Sequence, residues 1–332
     1  MPSDCLVGPN ARLISYARRN ELFEFTAPGG VVIFVKHWPQ DADAASREVA
    51  AVHHASDLLP GEEFGLPEIL AHDVSHGLCA YKLISGATDL RRLAVQGESC
   101  SAADIADIGG LLGHLHLASS QAGNGHWASP PVRPWALDVA LPTEAARAAA
   151  SAATETFWSD LRADARLMNR IAALQADWRE TEFIHGDMRL ENVLVQTDID
   201  AAGHARPIVV DWELSTPGDG LWDAACLVAS LLEIWISAKD VDDGANRGFE
   251  WVVPRLSAFW RTYTDRRGWP VTHGKQAVRC VALAAVRLVQ YALEATQKAI
   301  VPPRRAYLLV QVAENILDEP EISAARFLGA TG

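Results

Sequence analysis

The feature of this sequence that most constrains its fold is a change of hydrophobic pattern near residue 86. Upstream, short stretches such as Leu22 to Thr26 and Val31 to Lys36 are rich in apolar, β-branched and aromatic residues, which is typical of β-strands. Downstream, apolar residues recur at helical spacing. No internal repeat or low-complexity linker separates the two parts. The pattern predicts an α+β chain with two lobes, a small antiparallel β-sheet lobe at residues 1–85 and a larger, mainly helical lobe at residues 86–332.

The strand-rich part has enough local signals to predict its order of elements. A stretch at Leu13 to Tyr16 begins a three-stranded meander, and "APGG" (Ala27 to Gly30) supplies a tight turn in it. Asp41 or Asp43 can cap a helix that follows the meander. The stretch "GLCAYKLISG" (Gly77 to Gly86) then predicts a further strand that ends at a glycine.

The remaining chain predicts a series of helices. Ser101 begins an amphipathic helix to Ser119, with an aspartate three residues after the cap. The alanine-rich stretch from Thr143 to about Asp177 predicts one helix or two. Two more helices are predicted at Gly274 to Ile300 and Arg304 to Leu317, because "VPP" interrupts the pattern between them.

Composition and charge exclude several classes of protein. Lys and Arg number 29 and Asp and Glu number 42, so the formal net charge is −13. That charge repels nucleic acid and favours a cationic partner, and no basic stripe with interleaved aromatic residues is present. Nucleic acid is therefore not expected as a partner.

The sequence predicts a cytoplasmic protein with no membrane partner. Its first residues, "MPSDCLVGPN", have no charged and apolar regions of a signal peptide. The most apolar run, Ala224 to Ile236, is shorter than a bilayer requires and carries Glu233. The five cysteines lie far apart without a C-x-x-C pair, which predicts reduced and mostly buried thiols rather than a zinc site.

A short polar loop, "FIHGDMRLENVLV" (Phe183 to Val195), places an aspartate and an asparagine between apolar residues. Asn192 follows Asp187 by five positions, and an apolar strand that begins at Pro207 ends on Asp211. We expect these three oxygen ligands to converge. One carboxylate can orient a hydroxyl and accept its proton, while an amide and a second carboxylate can hold Mg²⁺ on nucleotide phosphates. The pattern indicates phosphoryl transfer.

In these residues the sequence resembles the aminoglycoside phosphotransferase and choline kinase family. The family's loop reads H-G-D, four residues, N, and its metal-binding aspartate ends a strand as D-W-E or similar; "HGDMRLEN" and "DWE" match both. The resemblance covers nearly the whole chain and implies a bilobal protein-kinase-like fold, with ATP and Mg²⁺ as cofactors. It implies Asp187 as the catalytic base and Asn192 and Asp211 as Mg²⁺ ligands. From "GDGLWD" it implies Asp223 as a helix-borne carboxylate that braces the catalytic loop, and we expect His185 to hold that loop.

The resemblance extends to the strand-rich part. "VVIFVK" followed by a helix with a glutamate fits the family's Lys–Glu pair, so Lys36 would bind the α- and β-phosphates and Glu48 would orient Lys36. "CAYKLISG" is similar to the connection between lobes, where the backbone near Lys82 and Ile84 would contact adenine.

The sequence departs from kinase patterns where the phosphates should be covered. "SYARRNE" (Ser15 to Glu21) contains no G-x-G-x-x-G. Backbone amides together with Ser15, Arg18 or Asn20 would then have to bind the phosphates. The identity of the nucleotide, ATP or GTP, stays open on this ground.

Three other nucleotide-binding classes fit the sequence less well. A P-loop protein needs G-x-x-x-x-G-K-[ST], which the sequence lacks. A signalling protein kinase carries H-R-D and a regulated activation loop, whereas Asp223 follows Asp211 here by only 12 positions. A nucleotide-binding pseudokinase is disfavoured because the lysine, the base and both metal ligands are all competent residues.

The sequence leaves the acceptor open between two classes. The first is a small hydroxylated molecule, and the acidic net charge of the protein favours a cationic one. Its pocket would be formed by residues 121–182 and 231–305, and the acidic segment Lys239 to Gly244 would contact it. The second is Ser or Thr of a ribosomally made precursor peptide. "PWALDVALPT" (Pro134 to Thr143) is similar to kinase-like enzymes that accompany lyases in ribosomal-peptide tailoring, and that pathway implies a partner enzyme.

Overall fold

The computed structural model describes residues 11–15, 20–26, 32–59, 65–96, 100–123, 130–140, 150–196, 207–238, 248–270 and 274–330. The chain divides into two compact units. The first unit is Met1–Leu90 with Glu191–Ser215, and the second is Arg91–Leu190 with Thr216–Gly332. The predicted domain boundary between residues 85 and 86 stays a prediction, since compactness alone does not define functional domains.

The described strands form three antiparallel sheets. They are β1 (Ala11–Ser15), β2 (Glu21–Thr26), β3 (Val32–His37), β4 (Ile69–Asp73), β5 (Leu78–Lys82), β6 (Ala87–Asp89), β7 (Glu182–Ile184), β8 (Val193–Gln196), β9 (Pro207–Val209) and β10 (Thr216–Gly218). The first unit holds a five-stranded sheet in the order β1-β2-β3-β5-β4 and a three-stranded sheet in the order β6-β8-β9. The second unit holds the pair β10-β7. The predicted meander is present as β1, β2 and β3, while its predicted turn at Ala27 to Gly30 lies outside the described residues.

Ten α-helices are described, most of them in the second unit. They are α1 (Ala42–Leu58), α2 (Leu90–Gln96), α3 (Ala102–Ala122), α4 (Ala152–Ala163), α5 (Ala165–Ala176), α6 (Gly220–Ser237), α7 (Phe249–Arg266), α8 (Gly274–Thr296), α9 (Arg304–Asp318) and α10 (Pro320–Leu328). The alanine-rich stretch forms two helices, α4 and α5, and residues 141–149 before them lie outside the described part. The predicted α+β fold class is confirmed.

In the first unit, α1 packs on the five-stranded sheet. Its N-terminus is capped as predicted, because the Asp41 side chain accepts a hydrogen bond from the Ala44 N–H at 3.2 Å. The core between helix and sheet is apolar and contains Trp38, Ala44, Ala45, Val49, Cys79 and Tyr81. Glu48 lies on the same buried face of α1, so the fold places a carboxylate inside this core.

In the second unit, α3 has the predicted cap. Ser101 Oγ accepts from the Asp104 N–H at 3.1 Å and the Asp104 side chain accepts from the Ser101 N–H at 2.6 Å. Two glycines then let α3 approach α7 closely. A Cβ at Gly109 would lie 2.5 Å from the Phe259 carbonyl oxygen, and one at Gly113 would lie 2.7 Å from the Tyr263 carbonyl oxygen. A larger residue at either glycine would push the helices apart.

Two helices of the second unit, α6 and α8, are long and apolar enough to cross a membrane by length and composition alone. Their most apolar windows are 89% and 83% buried inside the structure, which is how core helices behave. The apolar run Ala224 to Ile236 thus belongs to a helix of 18 residues, longer than the sequence pattern indicated. The cytoplasmic location stays a prediction.

Candidate active site

Lys36 is the centre of a charged cluster in the first unit. It lies on β3, its side chain is 7% exposed, and its Nζ donates to Glu48 Oε2 at 2.9 Å. The predicted Lys36–Glu48 pair is therefore present, and Nζ also contacts Asp211 Oδ1 and lies 3.1 Å from Glu213 Oε2. Burial by itself would lower the pKa of Lys36, but the three carboxylates outweigh it and the pKa lies above its usual range. Lys36 is thus a cation at any physiological pH.

Glu48 is held in place on both carboxylate oxygens. Lys36 binds one oxygen, and the Tyr81 hydroxyl donates to Glu48 Oε1 at 2.8 Å. Burial raises the pKa of Glu48, and the neighbouring ammonium group opposes that rise. The glutamate can orient Lys36 because its own position is set by the tyrosine behind it.

Glu213, which the sequence analysis did not assign, belongs to the same cluster. Its Oε2 accepts from Trp38 Nε1 at 2.5 Å and from the Asn20 amide at 3.2 Å, in addition to contacting Lys36. Asn20, a predicted phosphate-binding residue, is thus linked to Lys36 through this carboxylate. Glu213 is the glutamate of the "DWE" motif, so the motif itself was the sequence signal for it.

Asp211 occupies an unusual backbone conformation two residues after the end of β9. Its φ is +71°, the only positive φ of a non-glycine residue in the described ranges. Aspartate tolerates this left-handed region better than most residues, and such conformations are concentrated at functional sites. The N–H of the preceding residue, Val210, donates to the Asn192 carbonyl at 2.9 Å, so the two predicted metal ligands lie on hydrogen-bonded neighbouring segments.

The donor set of this cluster suits Mg²⁺. The Asp211 side chain is 32% exposed, a carboxylate oxygen of Glu213 lies within 4.8 Å of one of Asp211, and Asn192 lies on the hydrogen-bonded neighbouring segment. Glu48 belongs to the same cluster, but both of its oxygens are bound by Lys36 and Tyr81. Hard oxygen donors of this kind are what Mg²⁺ prefers. The residues present therefore fit the metal that the resemblance implies.

In the second unit, the loop after β7 is anchored by its backbone. Asp223 on α6 is fully buried and accepts hydrogen bonds from the N–H groups of His185 at 2.7 Å and Gly186 at 2.9 Å. Gly186 has φ +83°, which a residue with a side chain rarely adopts. The bracing contact implied for Asp223 is present, and it sets the backbone immediately before Asp187.

His185 and His116 complete this anchor. The Asp187 N–H donates to the buried His185 imidazole at Nδ1, at 3.3 Å, and the role of His185 in holding the loop stays a prediction. His116 Nε2 lies 3.2 Å from Asp223 Oδ2, and its Nδ1 lies 3.1 Å from the Tyr263 hydroxyl. Asp223 is 107 residues from His116 in the chain, so no local sequence pattern indicates this contact.

Asp187 itself is paired with a residue that the sequence analysis missed. Arg287 Nη2 on α8 donates to Asp187 Oδ1, and the Asp187 side chain is 18% exposed. The available signal was a single arginine in the apolar stretch "VALAAVRLVQYALEA". Asp187 therefore has a fixed backbone and an anchored carboxylate.

The remaining predicted residues have other contacts. The Lys82 ammonium group pairs with Glu68 at 2.9 Å and the Lys82 N–H donates to the Glu68 carbonyl. The Ile84 carbonyl accepts from the Ala87 N–H at 3.3 Å. Adenine contacts near Lys82 and Ile84 stay a prediction. Ser15 ends β1, but its side chain lies outside the described part, as do Arg18 and the acidic segment Lys239 to Gly244.

An α+β fold with a buried Lys–Glu pair, a strand-end aspartate and an anchored H-G-D loop defines a kinase-like phosphotransferase. The chain belongs to the phosphotransferase enzyme family, whose sequence profile matches residues 11–259. The predicted class of enzyme is confirmed. A search of curated proteins finds no match.

Solved structures of kinases share the fold at low sequence identity. A choline/ethanolamine kinase family protein from Mesorhizobium loti is 17% identical, with a TM-score of 0.55, and the match covers 98% of this chain and 95% of that one. Choline kinase LicA from Streptococcus pneumoniae is 16% identical, with a TM-score of 0.53 and 96% of each chain covered. The GDP and kanamycin complex of APH(2")-IIia is 16% identical, with a TM-score of 0.54, 97% of this chain and 96% of that chain covered.

Proposed function

We propose that this chain transfers the γ-phosphoryl group of ATP, bound with Mg²⁺, to a hydroxyl group of a small molecule. The observation that carries the proposal is the anchored loop of the second unit. Asp223 holds the backbone of His185 and Gly186, which fixes the loop segment from which a hydroxyl-orienting carboxylate at Asp187 extends. Membership of the phosphotransferase enzyme family supports it.

The first unit supplies the groups that a nucleotide triphosphate needs. Lys36 would bind phosphate oxygens, and Glu48 would keep its ammonium group oriented. Asn192 and Asp211 would hold Mg²⁺, with Glu213 as a third carboxylate of the cluster. Bound Mg²⁺ supplies positive charge that neutralises the phosphates.

Asp187 would act on the acceptor. Its carboxylate accepts a hydrogen bond from the acceptor hydroxyl and takes the proton as the new oxygen–phosphorus bond forms. The bond between the γ-phosphorus and the β,γ-bridging oxygen breaks, and ADP leaves with the electron pair. The protein's contribution is position and charge rather than a covalent intermediate.

A small molecule is the acceptor class that we favour. Structures with the same fold include a choline kinase, a glucosamine kinase and a macrolide 2'-phosphotransferase, which are named for small hydroxylated compounds. GDP and AMP complexes among the similar structures support a nucleotide as the donor. They also make GTP worth testing beside ATP.

The test is acceptor-dependent ADP release. Purified protein with ATP and Mg²⁺ is offered choline, glucosamine, kanamycin, a macrolide and Ser/Thr-containing peptides, and products are weighed by mass spectrometry. We expect one small hydroxylated compound to gain the mass of a phosphoryl group, and Asp187→Asn to slow that transfer by roughly 10²-fold or more. Undiminished transfer by Asp187→Asn would remove Asp187 from the chemistry, and phosphorylation of peptides alone would replace the acceptor class.

A further inference from the structure

Arg287 is a buried cation in the middle of the apolar helix α8, and the proposed mechanism has not used it. Its side chain is 2% exposed, and its neighbours Val286, Leu288 and Val289 are fully buried. The guanidinium group lies over the Tyr291 ring, 4.8 Å from the ring centroid. An apolar side chain of similar volume would fill this place without the desolvation of a charge. A specific contact would explain why this buried position holds an arginine.

That contact is the carboxylate of Asp187. Arg287 Nη2 donates to Asp187 Oδ1, whereas Arg287 Nε has no hydrogen-bond partner among the described residues. Burial alone would lower the pKa of Arg287, but neighbouring groups, Asp187 first and Glu294 among the others, outweigh burial and the pKa lies above its usual range. Asp187 is the carboxylate that the guanidinium group contacts directly.

We propose that Arg287 is a positioning residue for Asp187, holding its carboxylate in the one orientation from which it can receive the acceptor's proton. The inference rests on the proposed function of Asp187 and adds a residue to it. Charge-assisted hydrogen bonds from arginine are short and directional, so this contact fixes the rotamer of Asp187. Asp223 and His185 fix the backbone of the loop, and Arg287 fixes the side chain.

The kinetic test compares Arg287→Met, Arg287→Lys and a double mutant with Asp187→Asn. We expect Arg287→Met to lower kcat at least tenfold while the KM for ATP·Mg²⁺ stays within about twofold, because the residue acts on the acceptor side. Arg287→Lys keeps the charge and should recover part of the rate. In the Asp187→Asn background, Arg287→Met should change the residual rate by less than about twofold, since the residue through which it acts is gone.

The control is Arg91→Met, which removes an arginine from another buried carboxylate of the second unit, Glu233. Glu233 keeps its pairing with Arg305, and we expect a lower melting temperature with an unchanged kcat. Wild-type kcat in folded Arg287→Met would overturn the proposal. The proposal would also be overturned if Arg287→Met lowered kcat by the same factor in the wild type and in the Asp187→Asn background.

A second measurement separates this inference from the proposed function. The ¹³Cγ chemical shift of Asp187 reports the contact of its carboxylate and needs no substrate, and Arg287→Met should change it while Arg91→Met does not. If the wild type transfers phosphate to no acceptor, the proposed function fails, and this measurement still shows whether Arg287 binds the Asp187 carboxylate. An unchanged chemical shift in Arg287→Met would overturn the positioning role.

Discussion

At the residue scale, we expect Lys36 to contribute more to catalysis than Glu48, although the two side chains share one contact. Lys36→Ala removes the cation that would bind phosphate, so we expect kcat/KM for ATP to fall by several orders of magnitude. Glu48→Ala only releases the lysine and should cost less. Steady-state kinetics measure both, with Lys275→Ala, an exposed lysine on α8, as the matched control. Equal activity of Lys36→Ala and the wild type would remove Lys36 from the site.

Asp211 and Asp187 should fail in different ways. Asp211→Asn removes a metal ligand, so we expect weaker binding of ATP in the presence of Mg²⁺ and partial rescue by high Mg²⁺ or by Mn²⁺. Asp187→Asn should retain Mg²⁺-dependent nucleotide binding while transfer is lost. Calorimetric titration of ATP with and without Mg²⁺ distinguishes them. If Asp187→Asn lost nucleotide binding and Asp211→Asn kept it, the two roles would be assigned wrongly.

At the scale of elements, the capping box of α3 stabilises a helix that carries His116. Ser101→Ala removes the side-chain acceptor of the Asp104 N–H, and we expect a loss of about 1 kcal/mol in the free energy of unfolding. Urea unfolding measures it. Ser120→Ala, an exposed serine near the end of the same helix, should be nearly neutral. An equal effect of the two substitutions would contradict a capping role for Ser101.

The anchor between α6 and the H-G-D loop should affect both stability and rate. Asp223→Ala leaves the backbone N–H groups of His185 and Gly186 without their acceptor. Each buried N–H group without a hydrogen-bond partner lowers the free energy of unfolding by about 1–3 kcal/mol. We expect a lower melting temperature and a lower kcat, with Asp223→Asn falling between this variant and the wild type. Thermal unfolding and the transfer assay check both. A full rate in Asp223→Ala would mean that the loop holds its shape without α6.

At the scale of the whole molecule, burial should protect the thiols. The four described cysteines are unpaired and buried, and burial raises the pKa of Cys79 and of Cys100 to about 11. Only roughly one such thiol in a thousand would be thiolate at pH 8, and the thiolate is the reactive form. In a Cys5→Ser background, a thiol reagent at pH 8 should react only after denaturant is added. Rapid modification of the native protein would show that a core thiol is accessible.

Several parts of the fold and site could be predicted because their signals are local. The Asp41 cap of α1 and the capping box of α3 depend on residues three positions apart, and both are present. The resemblance implied the Lys36–Glu48 contact, and it is present at 2.9 Å. The Glu213 contacts with Trp38 and Asn20 could not be predicted, because they join segments up to 193 residues apart.

By itself, the sequence determined a strand-rich part followed by a helical part, and the order H-G-D, asparagine, D-W-E that identifies a phosphotransferase. Only the tertiary structure decided which groups hold those residues. Asp187 and Arg287 are 100 residues apart and His116 and Asp223 are 107 apart, and no periodicity relates such pairs. The physical reason is that a buried charge is stable only beside its partner, and helix packing determines which residue that partner is.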